Sequence, residues 1–589
     1  MAEEKSEQVL RASGGEPTPG NTTTYIRPQA RKLHDPDVSF EEYHFYAEKT
    51  RKEQDGLIPP KSQWLRLLGG KKSANDEPDL HQAAVNLADP KLRLTVTDEE
   101  WTNASRAFRT ASWGASFYLI TTDVLGPYAV PFAIGTLGYG PGVALFTVFG
   151  FLAGYSGYLL WRVYLGVDSF EFPVRNYGDI PFRVCGPITR HITNFIQALS
   201  LLLLLGQVVI LFGQNISQMS KFKLCYAVCP LLFVIAGFIL TQVRTLKSYG
   251  WFASLAVWLN LLVIFITMGV MANSPPNYSV ATLGSAGSAV DIDSITPDKD
   301  GVYPPIFHYA GLPAENLVGS INGLLSGVLA YSGLQLFVEF MAEMRRPRDF
   351  LKALWTAQLF IYVVYVVYGC YVYHFQGQYS FNPSFQGVST YGWQTVGNSI
   401  SLISGLIAAG LYGNIGIKVF YNNVLMDVFK APPLTAKPGK LFYAALVPVW
   451  WSTAFVIAAA IPDYFGFISV ISASTLLNLT YTLPPLFALA YDIRRCAMQI
   501  DQGEGFDGNT GIVTRNVTGV RRFVRGFLSG GIWQIALNVW HLIYFLASLA
   551  MCVLGMYAAV DGMVEAFKNP QLNSFSCVSP LNLAAQTSS

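Results

Sequence analysis

The sequence has little charge for its length. Only 13% of its 589 residues are Asp, Glu, Lys or Arg, whereas an ordinary soluble domain has roughly a quarter. Of the 38 acidic residues, 18 lie before residue 114, and long apolar stretches follow. One of them, residues 251–271, has no charged residue and is long enough to cross a hydrocarbon core about 30 Å thick. The composition excludes a wholly soluble protein and predicts a membrane domain behind a soluble tail.

The sequence also lacks the motifs of common enzyme sites. It has no helical His-Glu-x-x-His pattern and no nucleophile elbow, and Gly69-Gly-Lys-Lys-Ser73 lacks the spaced first glycine of a phosphate-binding loop. The first residues contain no apolar h-region, so no cleaved signal peptide is expected. We therefore expect a protein that is not an enzyme, with no cofactor, no metal site and no nucleic-acid partner.

The apolar stretches predict an all-α polytopic membrane protein of about eleven transmembrane helices. The predicted spans are residues 114–136, 141–163, 191–213, 225–243, 248–271, 316–342, 353–375, 393–417, 441–460, 464–490 and 531–560.

The distribution of basic residues predicts the orientation, because Lys and Arg accumulate in cytoplasmic loops. With the N-terminus inside, 36 of the 40 Lys and Arg residues are cytoplasmic. The C-terminus is then outside the cytoplasm. Seven cysteines are too few for a disulfide scaffold, but Cys225, Cys229 and Cys577 lie at or beyond the outer face, where oxidation can occur.

Two outer segments contain glycosylation sequons. Asn277-Tyr-Ser279 lies in the long loop after the fifth span, and Asn215-Ile-Ser217 follows the third span. Both are on the predicted lumenal side, so we expect glycans at Asn215 and Asn277.

Helix breakers occur near the centres of the first and sixth spans. The first contains Gly126, Pro127 and Pro131, and the sixth contains a small and flexible cluster at residues 326–333. A break in hydrocarbon needs a reason, although proline kinks satisfied by neighbouring helices are a common one. Because the two spans are five apart, they predict a five-plus-five inverted repeat with broken helices 1 and 6, in which matching breaks meet at the bilayer midplane.

Two acidic residues lie inside apolar stretches, where a charge costs a few kcal/mol or more. Asp123 is within one turn of Gly126 and is the candidate for proton coupling or for pairing with a substrate ammonium group. The alternative is a carboxyl group that is merely hydrogen-bonded to a neighbouring helix. Glu339 is about ten residues past the midpoint of the sixth span, a position that suits a cytoplasmic gate or an Arg partner.

Two motifs resemble the amino acid/auxin permease family of transmembrane amino acid transporters. Residues 126–142 (GPYAVPFAIGTLGYGPG) are similar to the family's Leu-Pro-Tyr-Ala-Phe stretch with its following Leu-Gly and Pro-Gly. Residues 330–350 (AYSGLQLFVEFMAEMRRPRDF) resemble the family's sixth span and the loop after it. The resemblance covers roughly residues 105–560, and the tail with its Glu-Tyr-His-Phe-Tyr-Ala block resembles that of fungal members. Leu334 and Pro127 depart from the usual His and Leu of the family.

The resemblance implies an inverted-repeat core and ion-driven movement of amino acids. The predicted divisions are a cytoplasmic tail over residues 1–110, largely disordered with short helices; a ten-span core over 111–491; a cytoplasmic loop over 492–530; an eleventh span over 531–560; and an extracytoplasmic tail over 561–589. Within the first tail, residues 40–51 are either a short aromatic-faced helix or a mostly disordered stretch, and a capping box at Thr97 and Glu100 predicts an in-plane helix.

The leading hypothesis is a secondary active transporter of a neutral or aromatic amino acid, or a related imino acid. The coupling ion is expected to be H⁺, with Na⁺ as the alternative, and the plasma membrane is favoured over the vacuolar membrane. Its partners would be the amino acid and the lipid bilayer. An amino-acid receptor that signals through the tail and an exporter or vacuolar carrier of a nitrogenous metabolite remain open. The predicted substrate-lining residues are Thr122, Gly126, Tyr128, Tyr331, Ser332 and Gly333.

Overall fold

The computed structural model describes most of the chain. The described residues are 26–28, 34–55, 95–97, 109, 111–242, 246–313, 317–426, 429, 431–432, 437–460, 464–508, 510–568 and 575–582. The predicted in-plane helix after Thr97 falls on residues 98–108, outside this set.

Nearly all of the described secondary structure is helical, and a bundle of helices builds the core. In chain order the helices are α1 (Phe40–Asp55), α2 (Trp113–Val124), α3 (Val130–Leu137), α4 (Tyr139–Val167), α5 (Asp179–Val184), α6 (Pro187–Met219), α7 (Val228–Thr241), α8 (Leu246–Met271), α9 (Ala281–Gly284), α10 (Ala286–Val290), α11 (Leu317–Ala330), α12 (Phe337–Glu343), α13 (Phe350–Gln376), α14 (Tyr391–Phe420), α15 (Lys437–Ala460), α16 (Tyr464–Ile471), α17 (Leu483–Ala497), α18 (Gly519–Leu528) and α19 (Gly531–Lys568).

Two small antiparallel ladders accompany the helices. Strand β1 (Ile26–Pro28) pairs with β2 (Thr95–Thr97), and β3 (Gly505–Asp507) pairs with β4 (Ile512–Thr514). Residues 1–33 and 57–108, which contain the first ladder, form a unit separate from the rest of the chain.

Within the described residues, ten helical stretches are long and apolar enough to cross a membrane. The prediction of an all-α polytopic membrane protein is confirmed. Consecutive spans reverse direction, which gives the bundle two faces. We call the face formed by α1 and residues 168–186, 344–349 and 498–530 the basal face. The opposite face, which carries residues 272–313, is the distal face.

The fourth predicted span is the shortest of the eleven. Its helix, α7, has 14 residues and a length of about 21 Å, less than a hydrocarbon core of about 30 Å. Its start follows Cys225 on the distal face. Beyond its end, Gln242 donates a 3.4 Å hydrogen bond to the carbonyl of Ala444 in the basal half of α15. Among the described residues, α7 is therefore a shorter apolar helix that runs from the distal face toward the basal face, in addition to the ten longer ones.

Helix α1 packs on the basal face. Ser39 caps its N-terminus, because the serine hydroxyl accepts a 3.3 Å hydrogen bond from the amide of Glu42. Phe40, Tyr43 and Ala47 share one side of the helix and are almost fully buried. The ring of Tyr43 lies edge-on to Phe172, with centroids 5.0 Å apart. The stretch for which the sequence left a helix and disorder open is therefore a packed helix in this structure.

Buried ion pairs join α1 to the loop that follows α4. Asp168 is fully buried and accepts hydrogen bonds from Arg51 at 2.6 Å and from Arg109 at 2.8 Å. Burial acts to raise the pKa of Asp168, but the two guanidinium groups outweigh it and hold this pKa below its usual range. Removal of one partner from such a buried pair costs about 3–5 kcal/mol.

A second set of ion pairs joins α1 to the residues around α18. Glu41 is buried and accepts from Arg515 at 2.6 Å and from Arg522 at 2.7 Å. Burial acts to raise the pKa of Glu41, but these two arginines outweigh it and lower this pKa. Helix α1 is thus bound at both ends to basal segments that are far apart in the sequence.

Asn215, where a glycan is predicted, lies within a helix and not in a loop, and its glycosylation stays a prediction. Helix α6 continues past the predicted end at residue 213, and the side chain of Asn215 is fully buried. Its amide accepts a 2.7 Å hydrogen bond from Gln386 and donates a 3.3 Å bond to Ser401. The polar residues that resembled a loop instead form a hydrogen-bonded network between α6 and α14. Asn277 lies on the distal face and is half-buried, so its glycosylation stays a prediction.

A disulfide bond closes the distal face. Cys225, just before α7, is bonded to Cys577 in the C-terminal segment, 352 residues away in the sequence. The backbone amides of Tyr226 and Ala227 donate to the carbonyls of Cys577 and Ser576. The structure therefore pairs two of the three cysteines that the sequence placed at the outer face, and it leaves Cys229 as a thiol.

This disulfide predicts a specific count of reactive thiols. Denatured, unreduced protein should take up five maleimide groups, since five of the seven cysteines are thiols. Reduction should raise the count to seven. The Cys577→Ser variant should give six with or without reduction, because it releases Cys225, and intact-mass spectrometry reads each number. The matched Cys229→Ser variant should give four and then six. Seven adducts on unreduced wild-type protein would contradict the bond.

Candidate functional site

The first span is broken near its centre. Helix α2 ends at Val124 and α3 begins at Val130, with a short 3₁₀ turn at Pro127–Ala129 between them. Gly126 is exposed although it lies midway along the span. A Cβ atom built on it would meet no atom within 4 Å. A backbone break that faced lipid would leave polar groups in hydrocarbon, so this space belongs to the polar interior of the bundle.

The sixth span is broken in the same way. Helix α11 ends at Ala330, a 3₁₀ turn covers Leu334–Leu336, and α12 begins at Phe337. Both predicted breaks are therefore present. In each span the first half-helix ends at the break with its carbonyl groups, and the second half begins there with its amide groups. The two pairs of helix ends carry opposite partial charges, which favour a cation and an anion respectively.

One hydroxyl group contacts both breaks. The Tyr365 side chain on α13 is fully buried, and its hydroxyl lies within hydrogen-bonding distance of the carbonyl of Val124 and, at 2.8 Å, of the carbonyl of Ala330. The amide of Gly126 donates to the same hydroxyl at 3.1 Å. A hydroxyl has one proton for two carbonyls, so Val124 and Ala330 share this donor. The Val124 carbonyl also accepts from the amide of Gly126 at 2.8 Å.

The carboxyl group of Asp123 lies against the second break. A Cβ atom built on Gly333 would be 2.5 Å from Asp123 Oδ2, so only glycine allows this approach. Asp123 Oδ2 is buried and has no hydrogen-bond partner among the described residues. On the other side, the hydroxyl of Tyr412 donates to the Asp123 backbone carbonyl at 3.3 Å. An unpaired carboxylate oxygen at this depth is costly unless the group binds a proton or a cation.

A second polar network lies beside the first break. Tyr128 donates a 3.0 Å hydrogen bond to Asn260 Oδ1 on α8, and Ser404 of α14 donates to the same atom at 2.7 Å. The Asn260 amide in turn donates to the carbonyl of Leu125 at 3.2 Å. Tyr128 is half-buried and its ring lies 4.9 Å from that of Phe385. Asn260 thus satisfies the carbonyl that the break leaves free in α2.

The other predicted substrate-lining residues differ in their burial and contacts. Ser332 is half-buried, and its hydroxyl donates to the carbonyl of Leu329 at 2.7 Å. The Thr122 hydroxyl donates to the carbonyl of Ala253 and joins α2 to α8. Tyr331 is buried, with its ring 5.2 Å from that of Tyr365 and its hydroxyl near Gly150 of α4. Thr122 and Tyr331 therefore occupy packing positions here, and their substrate contact stays a prediction.

Glu339 lies toward the basal face, as its sequence position suggested. Its Oε1 accepts from Gln197 at 2.9 Å and from the amide of Tyr177 at 3.3 Å, whereas Oε2 is buried without a hydrogen-bond partner among the described residues. The expected Arg partner is replaced by Gln197. Tyr177 is fully buried and donates to the carbonyl of Leu479. Tyr177 therefore connects Glu339 of the sixth span to Leu479 of the tenth span.

The turn that contains Tyr177 is itself anchored to the tail. Asp179 accepts from the backbone amides of Arg175 and Asn176, and His34 bonds to its other oxygen at 2.7 Å. Burial acts to raise the pKa of Asp179, but His34 and Arg183 outweigh it and lower this pKa to about 2. His34 is therefore connected to Glu339 through the hydrogen bonds of Asp179 and the short backbone turn at residues 175–177.

Replacement of Tyr365 by Phe tests the role of the shared hydroxyl. Tyr365→Phe should cost about 1–3 kcal/mol of stability, because the Ala330 carbonyl loses this donor at the second break and the Gly126 amide loses this acceptor at the first. Denaturation of the purified protein in detergent measures this cost. Tyr362→Phe is the matched control: its hydroxyl contacts Thr147 at an exposed position on the same helix. The control should change stability by less than about 0.5 kcal/mol. Equal losses of stability in the two variants would show that the breaks do not depend on the Tyr365 hydroxyl.

Alanine at the two break glycines should have different effects. Gly333→Ala would place a Cβ 2.5 Å from Asp123 Oδ2 and 2.6 Å from Val124 Cγ2, and it should cost about 1–3 kcal/mol through overpacking. Gly126→Ala meets no atom within 4 Å and should keep wild-type stability. Thermal unfolding of both proteins in the same detergent checks the contrast. Equal melting of the two variants would mean that Asp123 does not lie against Gly333.

Comparison with known proteins places this geometry in a family. Residues 109–494 match the family described as transmembrane amino acid transporter protein. A protein named transmembrane transporter from Fusarium pseudograminearum is 22% identical over 324 residues, which cover 54% of this chain and 63% of the relative. One of the same name from Gibberella moniliformis is 21% identical, with 54% and 63% covered. The N amino acid transport system protein of Neurospora crassa is 22% identical, with 62% and 73% covered. The chain thus spans less than two thirds of the first two relatives.

Proposed function

The chain belongs to the transmembrane amino acid transporter family, and we propose that it is a secondary active transporter that carries amino acids across a membrane. The observation that carries the proposal is the meeting of two broken spans at one hydroxyl group, with the exposed Gly126 backbone and the Asp123 carboxyl group beside it. The name of the Neurospora crassa relative supports the same class of cargo.

The substrate would bind between the two breaks. Its carboxylate would face the amide groups that begin the second half of the first span, because helix N-termini attract anions. Its ammonium group would pair with Asp123, since the carbonyl ends of α2 and α11 already share the Tyr365 hydroxyl. The side chain would then lie near Tyr128 and Phe385, whose rings favour a neutral or aromatic amino acid or a related imino acid.

Asp123 would also couple transport to protons. Its Oδ2 has no hydrogen-bond partner among the described residues, so the empty conformation favours a bound proton. Asp123 would take up a proton on the outer side, keep it while the loaded carrier turns inward, and release it with the substrate on the basal side, so that an inward proton gradient drives uptake. The other carboxyl oxygen would accept a hydrogen bond from the substrate ammonium group. Glu339 would act as the basal gate, because Tyr177 connects this residue to Leu479 of the tenth span. Na⁺ is the alternative coupling ion, and the uptake experiment below distinguishes it from H⁺.

The basal face is proposed to be cytoplasmic. It carries the N-terminal helix and the loops in which Lys and Arg concentrate, which is the asymmetry that sets orientation. The plasma membrane is the favoured location and the vacuolar membrane the alternative.

The experiment measures uptake of radiolabelled amino acids by transport-deficient cells that express the chain or its Asp123→Asn variant. Wild-type uptake should be saturable and should collapse when an inward proton gradient is dissipated, and the variant should lose this gradient-driven uptake at equal surface expression. Asp561→Asn is the control, because Asp561 is an exposed acid at the distal end of α19.

The outcomes separate the alternatives. Wild-type pH dependence of uptake in Asp123→Asn would show that Asp123 takes no part in coupling. Uptake that follows a Na⁺ gradient would identify Na⁺, and not H⁺, as the coupling ion. No uptake by surface-expressed wild-type protein would favour a receptor. That reading has one observation in its favour, since helix α1 connects the cytoplasmic tail to the basal face through buried ion pairs.

A further inference from the structure

A basic cavity lies on the basal face and is lined by residues of α1, α4 and α17. Its volume is about 720 Å³, and it opens to the surface between α1, the ends of α4 and α17, and the loop before α13. Five of its lining residues are cationic: Arg51, Lys52, Arg162, Arg348 and Arg495. Glu48 is the one acidic residue among the lining residues that the structure describes. We call this cavity the basal pocket.

Ion pairs inside the protein do not neutralise the basal pocket. Asp168 binds Arg51, but it also binds Arg109, so one carboxylate serves two guanidinium groups. Asp492 binds Arg162 at 2.5 Å and is fully buried. Lys52 and Arg495 are exposed and add two more positive charges. The pocket therefore has an excess of positive charge, part of it held rigidly by buried carboxylates.

Helix α18 indicates the depth of the basal pocket relative to a bilayer. Val520, Phe523, Val524 and Leu528 lie on one side of this helix and are all exposed, whereas its arginines face the protein or solvent. The helix ends three residues before α19 begins, and the first residues of α19, Ile532 and Trp533, are also exposed. The apolar side of α18 is thus continuous with the lipid-facing surface of the last span. This geometry is that of a helix lying in the plane of the membrane interface.

The same helix is bonded to one wall of the pocket. Arg525 of α18 donates a 2.7 Å hydrogen bond to the carbonyl of Ala497, at the end of α17. Arg495, two residues before Ala497, and Met498, the residue after Ala497, both line the pocket. The pocket is therefore at the depth of lipid phosphate groups.

We propose that the basal pocket binds a phosphate group, supplied either by the headgroup of an anionic lipid or by a soluble phosphate compound. Arginine forks bind phosphate oxygens through paired, charge-assisted hydrogen bonds, and a lysine adds a point charge. The depth of the pocket favours the lipid source. Since α1 forms one wall and the ends of α4 and α17 form the others, the bound group ties the N-terminal helix to the membrane domain.

The test measures binding to the purified full-length protein in detergent by calorimetric titration, without any amino acid present. The probes are dioctanoyl phosphatidylinositol 4-phosphate, dioctanoyl phosphatidic acid, inorganic phosphate and, as the probe without phosphate, dioctanoylglycerol. The variant Arg495→Gln removes one exposed pocket cation. Arg521→Gln is its matched control, because Arg521 is an exposed arginine of the basal face that does not line the pocket.

Arg495→Gln should weaken binding of the phosphorylated probes about five-fold, the usual effect of one basic residue, and adding Lys52→Gln should weaken it further. Arg521→Gln should bind as wild type does, and dioctanoylglycerol should not bind. Tight binding of the lipids with at least 100-fold weaker binding of inorganic phosphate identifies a headgroup. Equal affinity for inorganic phosphate, with the same dependence on Arg495, identifies a soluble compound. Absence of saturable binding, or equal effects of Arg495→Gln and Arg521→Gln, overturns the proposal. Amino acid transport takes no part in this readout, so failure here leaves the proposed function untouched.

Discussion

The constraint on which the structure depends is that backbone polar groups inside a bilayer must find partners within the protein. In two spans of this chain the helix is interrupted near its centre, and the hydroxyl of Tyr365 contacts backbone groups at both interruptions. Asn260 satisfies a further carbonyl at the first break. The breaks can persist because α8 and α13 supply these donors. What remains is open space beside Gly126 and, among the described residues, one buried carboxyl oxygen of Asp123 without a hydrogen-bond partner.

The basal face connects Glu339 to the N-terminal segment. Tyr177 is hydrogen-bonded to Glu339 through its amide and to Leu479 of the tenth span through its hydroxyl, and Asp179 of the same turn is bonded to His34. The buried acids of this face, Asp168 and Glu41, each bind two arginines. The paired arginines lower the pKa of both acids, so the charged and paired forms are favoured at neutral pH. A conformational cycle would have to move this face as a unit or release α1 from it.

Much of the fold could be predicted from the sequence, and the reasons are specific. The length of an apolar stretch predicts a span. Both breaks could be predicted because glycine and proline interrupt a helix that would otherwise be continuous. The end of α6 was missed because Asn215 and Gln218 resemble loop residues until their partners on α14, far along the chain, are known. Tyr365 could not be predicted, since nothing in its local pattern separates it from Tyr362 or Tyr368 on the same helix. The docking of α1 depended on Asp168, Arg515 and Arg522, which no local pattern connects to residues 40–55.

The most direct test of the central claim is competition for uptake in liposomes that contain the purified protein. A transported radiolabelled neutral amino acid is measured against its methyl ester, which lacks the carboxylate, and against its decarboxylated amine. If the substrate carboxylate faces the amide end of the broken first span while the ammonium group binds Asp123, both analogues should compete at least 100-fold more weakly than the parent amino acid. Competition by either analogue as strong as that of the amino acid would contradict a site built from the two breaks.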